Sequence, residues 1–121
     1  MRLLLLIAPL VAGKALAADI SGDWKIESNL GDTPINVNCT LVQAEHELTG
    51  TCTPVMENAE TSELAGIVDG ATAEWSYDIV FNGNPGHVAF EAAIDSDAKM
   101  SGTLLLSGTP TKFTATKQES H

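Results

Sequence analysis

Positive charge is scarce in this chain. Lys and Arg together number 6 against 16 Asp and Glu, a formal net charge of −10 at pH 7. Such a surface repels nucleic acid and anionic membranes, so neither is an expected partner. Histidine is nearly as thin: His46, His87 and His121 are scattered, with no spacing that converges three or four ligands on a metal. Only two cysteines are present, Cys39 and Cys52, and paired with each other they leave no thiol nucleophile. There is no Gly-x-Ser-x-Gly and no phosphate-cradling glycine loop. Asp95-Ser96-Asp97 reads as a turn, because it lacks the further oxygens of a calcium loop. Glu74, Asp78 and Glu91 fall on the outward phase of their strands, so no carboxylate pair faces a pocket. No cofactor, metal or enzymatic chemistry is expected from this inventory.

Long apolar runs are missing too, with one exception at the start. Met1-Arg2 is positive, Leu3–Val11 is apolar, and Ala15-Leu16-Ala17 is a small-residue cleavage site. These are the three parts of a secretory signal peptide spanning residues 1–17, with a cut after Ala17. The run is too short for a membrane anchor and is interrupted by Pro9. A periplasmic or secreted protein follows, comprising one domain over residues 18–121. Cleavage leaves Lys25, Lys99, Lys112 and Lys117 against all 16 acidic residues. Export permits oxidation, and a domain this small gains from a covalent staple.

What the chain has in abundance is alternation with period two and almost no helical period. Eight strands are predicted: Asp23–Ser28, Ile35–Val42, Glu47–Thr53, Glu63–Asp69, Ala73–Phe81, His87–Asp95, Lys99–Ser107 and Lys112–Lys117. The fifth is the clearest, with Trp75, Tyr77, Ile79 and Phe81 alternating with Glu74, Ser76, Asp78 and Val80. Cys39 and Cys52 stand symmetrically about a turn at Ala44–Glu47. A hairpin there puts Gln43 opposite Leu48, Leu41 opposite Gly50, and Cys39 opposite Cys52 as a non-hydrogen-bonded, disulfide-competent pair. In the fifth and sixth strands, a turn at Asn82–Gly86 puts Phe81 opposite Val88, Ile79 opposite Phe90, Tyr77 opposite Ala92 and Trp75 opposite Ile94. The one long link, Pro54–Ser62, is expected to hold a helical turn or act as a lid.

Short connections make successive strands pair as neighbours. An eight-stranded antiparallel up-and-down meander with one apolar face closes into a barrel with no free edges, so the fold class is all-β with one cross-strand disulfide. Gly50, Gly66 and Gly102 each follow a large apolar residue by two places and point inward. Such glycines either let a small barrel coil sharply or open space for a ligand.

Ser21-Gly22-Asp23-Trp24, together with Lys117 in the last strand, resembles the calycin pattern of lipocalins and avidins. That resemblance implies a barrel whose first strand opens on a tryptophan, capped by a basic side chain from the closing strand. Here the cap would be Lys117 lying over Trp24. The stretch from Gly31 to Thr51 is similar to the second and third strands of avidin, but the chain lacks avidin's inward polar groups and extra tryptophans, so biotin binding does not follow. With its Leu-x-Gly-Thr repeats and Thr-Ala-Thr-Lys ending, the mature chain is most similar to small secreted bacterial lipocalin-like proteins of unknown function. It also resembles exported inhibitors of serralysin-type metalloproteases, which share a Ser-Gly-x-Trp start and one disulfide and act through an N-terminal trunk. In this chain only Ala18-Asp19-Ile20 would form that trunk.

Two functions are therefore expected in competition. One is a non-enzymatic exported binder that holds a small apolar or aromatic ligand at the barrel mouth near Trp24, Trp75, Tyr77 and Phe90. The other is a protein-interaction module or protease inhibitor that meets an exported partner through its rim and N-terminus.

Overall fold

The structure is a computed structural model that describes residues 19–81 and 83–118, and of Phe81 the backbone alone. The proposed signal peptide and His121 lie outside the described residues. Eight strands follow in chain order: β1 (Gly22–Leu30), β2 (Thr33–Ala44), β3 (Glu47–Pro54), β4 (Ser62–Asp69), β5 (Thr72–Phe81), β6 (Asn84–Ser96), β7 (Lys99–Leu106) and β8 (Thr109–Lys117). Each pairs antiparallel with the next, and β8 closes on β1 through Trp24↔Lys117 to Ser28↔Phe113. The expected all-β, eight-stranded barrel is what the chain forms. Every predicted strand is present, and most are longer than expected because the turns are tighter.

Tight turns set the registers. β2 and β3 meet at Ala44↔Glu47, and this gives Gln43↔Leu48, Leu41↔Gly50 and Cys39↔Cys52 as the sequence predicts. The two half-cystines form a disulfide, their Cα atoms 4.0 Å apart, close to the spacing of a non-hydrogen-bonded pair. Both half-cystines sit in the core, and Cys39 lies opposite Trp24 on the neighbouring strand.

The β5–β6 hairpin corrects the sequence reading. Observed partners are Phe81↔Asn84, Ile79↔Gly86, Tyr77↔Val88 and Trp75↔Phe90. The connection consists of residues 82–83 alone, with Gly83 at φ +80, so Asn84-Pro85-Gly86 belongs to the strand and not to the turn. A two-residue connection with Gly83 at positive φ matches the twist of the flanking strands, and it wins over a longer loop. Pro85 is tolerated because the β6–β7 ladder stops at Val88↔Leu106 before reaching it. The slip is even, so every inward residue stays inward and only its partner changes.

The link between β3 and β4 holds no helical turn. Residues 55–61 make bends and one tight turn with Asn58 at φ +60, and the Thr53 and Thr61 hydroxyls join across its base at 2.7 Å.

Side chains fill the barrel. One continuous apolar cluster runs from Ile20 through Trp24, Trp75 and Phe90 to Ala115. The inward glycines are taken up by backbone. A Cβ on Gly50, Gly66 or Gly102 would stand 1.9 Å from the carbonyl oxygen of Thr40, Glu74 or Glu91 respectively. Adjacent strands therefore coil across each other where these side chains are missing. That is the barrel-coiling role, and it leaves no room there for a ligand.

Candidate functional site

The two ends of the barrel differ. At the end where β1 begins, Ile20 is fully buried and its carbonyl accepts the indole N–H of Trp24 at 2.9 Å. The Ile20 N–H donates to Gln43 Oε1 (3.0 Å), and the Gln43 N–H donates to Ser21 Oγ (2.9 Å). Asp19 accepts the Ser21 N–H at 2.9 Å, and that bond holds its exposed carboxyl below the ordinary carboxylate range. Residues 19–21 thus strap this end shut. Trp24 belongs to the plug, and among the described residues its ring pairs with none of the other aromatic rings. Lys117 is its partner on β8 and runs beside Gly22, where an added Cβ would stand 2.6 Å from Lys117 Cε.

Trp75, Tyr77 and Phe90 do come together, in the interior of the barrel. Period-two alternation on β5 and β6 turns all three inward, and the register puts Trp75 directly opposite Phe90. Their rings stack with centroids 4.9 Å apart and planes 17° from parallel. Tyr77 lies 6.1 Å from Phe90 at 29°. Phe113 from β8 meets Phe90 edge-on at 5.2 Å and Trp75 at 6.5 Å. Phe113 is the member the sequence reading missed. Its inward phase was legible, but its contact runs across the barrel and has no local signature.

Two polar atoms distinguish this cluster. Trp75 is 2% exposed, and its Nε1 is the one buried side-chain nitrogen or oxygen without a hydrogen-bond partner among the described residues. Elsewhere the core satisfies such groups: besides Trp24, buried Ser28 donates its hydroxyl to Lys112 O at 2.6 Å. Tyr77 carries the second atom, and burial pushes its phenol far above the ordinary value of 10.0. Its hydroxyl therefore remains a donor throughout the physiological range.

That shift has a testable sign. A phenol that keeps its proton longer when folded stabilises the fold fully below about pH 10. The contribution is lost as pH rises beyond that, since only the unfolded chain then releases the proton. Tyr77 is the single tyrosine, so tyrosinate absorbance reads it alone. In an alkaline titration the absorbance is expected to appear only together with loss of the β-sheet circular dichroism signal. A smooth transition near pH 10 in folded protein would contradict the burial of this hydroxyl.

The wall beside the cluster is incompletely laced. β4 and β5 pair only from Ala65↔Ser76 to Asp69↔Thr72. Beyond that, toward the turn at 82–83, Ser62–Leu64 and Tyr77–Phe81 have no ladder between them. The buried side chains of Leu64 and Tyr77 close this seam. Ile79, partly buried, packs against the core above them.

Outside the core, the acidic residues behave as expected. Glu74 and Glu91 face each other on the outer surface, and Asp78 is 2.8 Å from His87 Nδ1 in an exposed contact. His46 lies at a turn with Nδ1 3.3 Å from Val68 O. No group of His, Cys, Asp and Glu among the described residues is arranged to hold a metal. The depressions that stand out among these residues are open ones on the outer wall, for example over Ala65, Ser76 and Ala89.

No protein-family model matches the chain, and no curated protein does. Among solved structures, the chain is similar to a redesigned β-barrel, mFAP1, determined bound to DFHBI. The TM-score is 0.57 at 10% identity, over 82% of this chain and 94% of that one. At that identity the likeness is one of fold, that of a β-barrel.

Proposed function

We propose that this is an exported, non-enzymatic binding protein that takes a small apolar or aromatic ligand through the end of the barrel opposite the Asp19–Ser21 strap, against Trp75, Tyr77 and Phe90. The observation that carries the reading is the unlaced β4–β5 seam beside an aromatic cluster. Side chains can swing away from a seam at far less cost than a hydrogen-bonded ladder can be broken. Leu64, Tyr77 and Ile79 are the gate, and the filled interior makes room when they move. The redesigned barrel of similar fold, solved with DFHBI, supports the idea that such an architecture can hold a small molecule. Trp24 belongs to the closed end and drops out of the ligand set, its N–H already spent on Ile20. Export rests on the signal-peptide pattern of residues 1–17, and the disulfide is compatible with it. Titration with a neutral apolar dye is expected to quench tryptophan fluorescence and to saturate at one dye per barrel. No saturable change up to the dye's solubility would sink the reading.

A second reading has its own observation. The end opposite the strap exposes Val55 and Met56 in the β3–β4 link and Val80 near the end of β5, at 56%, 58% and 72%. Exposed apolar residues at a rim suit an exported protein partner. With Asp19 and Ile20 built into the closed end, the rim would make the contact. A stoichiometric complex with an exported protease, broken by Met56→Asp while dye binding is untouched, favours this alternative.

A further inference from the structure

We infer that the indole N–H of Trp75 is the anchoring donor of the ligand site, and that the ligand is a flat, uncharged molecule bearing a hydrogen-bond acceptor. This rests on the ligand-binding reading above and names the chemistry of the same site.

The protein leaves this donor conspicuously alone. Trp24 Nε1 and Ser28 Oγ each reach a backbone carbonyl, whereas Trp75 Nε1 reaches nothing among the described residues. Buried polar groups are nearly always satisfied, and an exception calls for an acceptor that the chain does not supply. Nor is the indole free to turn toward one. It is stacked on Phe90 with planes 17° apart and braced edge-on by Phe113.

The acceptor must come from outside, as a water or a ligand atom. A buried water holds its place with two to four polar partners. Around this indole the ring neighbours are Phe90 and Phe113, with Tyr77 stacked beyond Phe90, so the one further polar atom in the cluster is the Tyr77 hydroxyl. A ligand that buries its own apolar surface while offering one acceptor fits these surroundings better. It must be flat, because Trp75 and Tyr77 stack on Phe90 within 17° and 29° of parallel. It must be uncharged, because among the described residues the buried polar or charged side chains comprise Ser28 alone, with no counter-charge facing the interior.

Quinoline and naphthalene test this as a pair, being alike in shape and differing by one ring nitrogen that accepts a hydrogen bond. The readout is a nuclear magnetic resonance titration of the whole protein, which has two indole N–H signals, one from each tryptophan. Quinoline is expected to bind at least about fivefold more tightly than naphthalene, the worth of one modest hydrogen bond. The Trp75 N–H signal should move downfield while that of Trp24 stays in place. Trp75→Phe is expected to equalise the two probes by weakening quinoline and sparing naphthalene. Equal affinity for both probes in the unmodified protein overturns the anchoring role and leaves the ligand reading standing. A quinoline preference that survives Trp75→Phe does the same. Binding of neither probe overturns both. The two-probe comparison needs no mutant, so a folding defect in the variant cannot obscure it.

Discussion

Gly66→Ala is expected to abolish the folded barrel or to cost it more than about 4 kcal/mol, a large share of the stability of an ordinary domain. The added Cβ would lie 1.9 Å from the Glu74 carbonyl oxygen, 2.8 Å from its carbon and 2.7 Å from Trp75 Cα. All three are backbone atoms of the facing strand, so nothing flexible can yield. Relief requires β4 and β5 to part next to the end of their ladder at Ala65↔Ser76. Separation there also moves Trp75, the residue that faces Gly66, so the same methyl group would disturb the candidate site. Gly70→Ala is the control. Its Cβ meets nothing within 4 Å and only φ +61 opposes it, so a loss of about 1 kcal/mol is expected. Urea unfolding of the two variants, followed by circular dichroism, measures the difference. A Gly66→Ala protein as stable as Gly70→Ala would mean that β4 and β5 do not approach this closely.

The second large effect is expected from the disulfide. Cys39→Ala with Cys52→Ala removes a bridge between residues 13 apart in sequence, worth about 3 kcal/mol in the chain-entropy model. It also shrinks two side chains that are 1% and 0% exposed, so the smaller residues leave space behind. For a domain of this size the two losses together lower Tm by roughly 15 °C. Ligand affinity below that temperature should be nearly unchanged, because the bridge joins β2 to β3 whereas the aromatic cluster is built by β5, β6 and β8. Calorimetry and dye titration on the same double variant separate the two quantities. A large affinity loss in a protein that remains folded would show that the bridge shapes the site.

These two cases differ in how far the sequence had already reached them. The cysteine register was legible because the turn between the strands is short and the residues alternate on both sides of it. The role of Gly66 was not, since an inward glycine reads equally well as a kink or as a vacancy. Only the position of the Glu74 carbonyl decides between them.

By itself the sequence determined the strands, the inward set and the disulfide register. Alternation is a local property, and each residue reports its own side of the sheet. Tertiary structure decided the partners. A slip of even length in the β5–β6 hairpin leaves the apolar pattern unchanged, so the pattern could not tell Trp75↔Phe90 from Trp75↔Ile94. The turn geometry at 82–83 made that choice. Closure of the barrel then brought Phe113 to the cluster, carried Ile20 into the far end beneath Trp24, and left the seam between β4 and β5. Each of these depends on twist and stagger summed over eight strands, which no short stretch of sequence encodes.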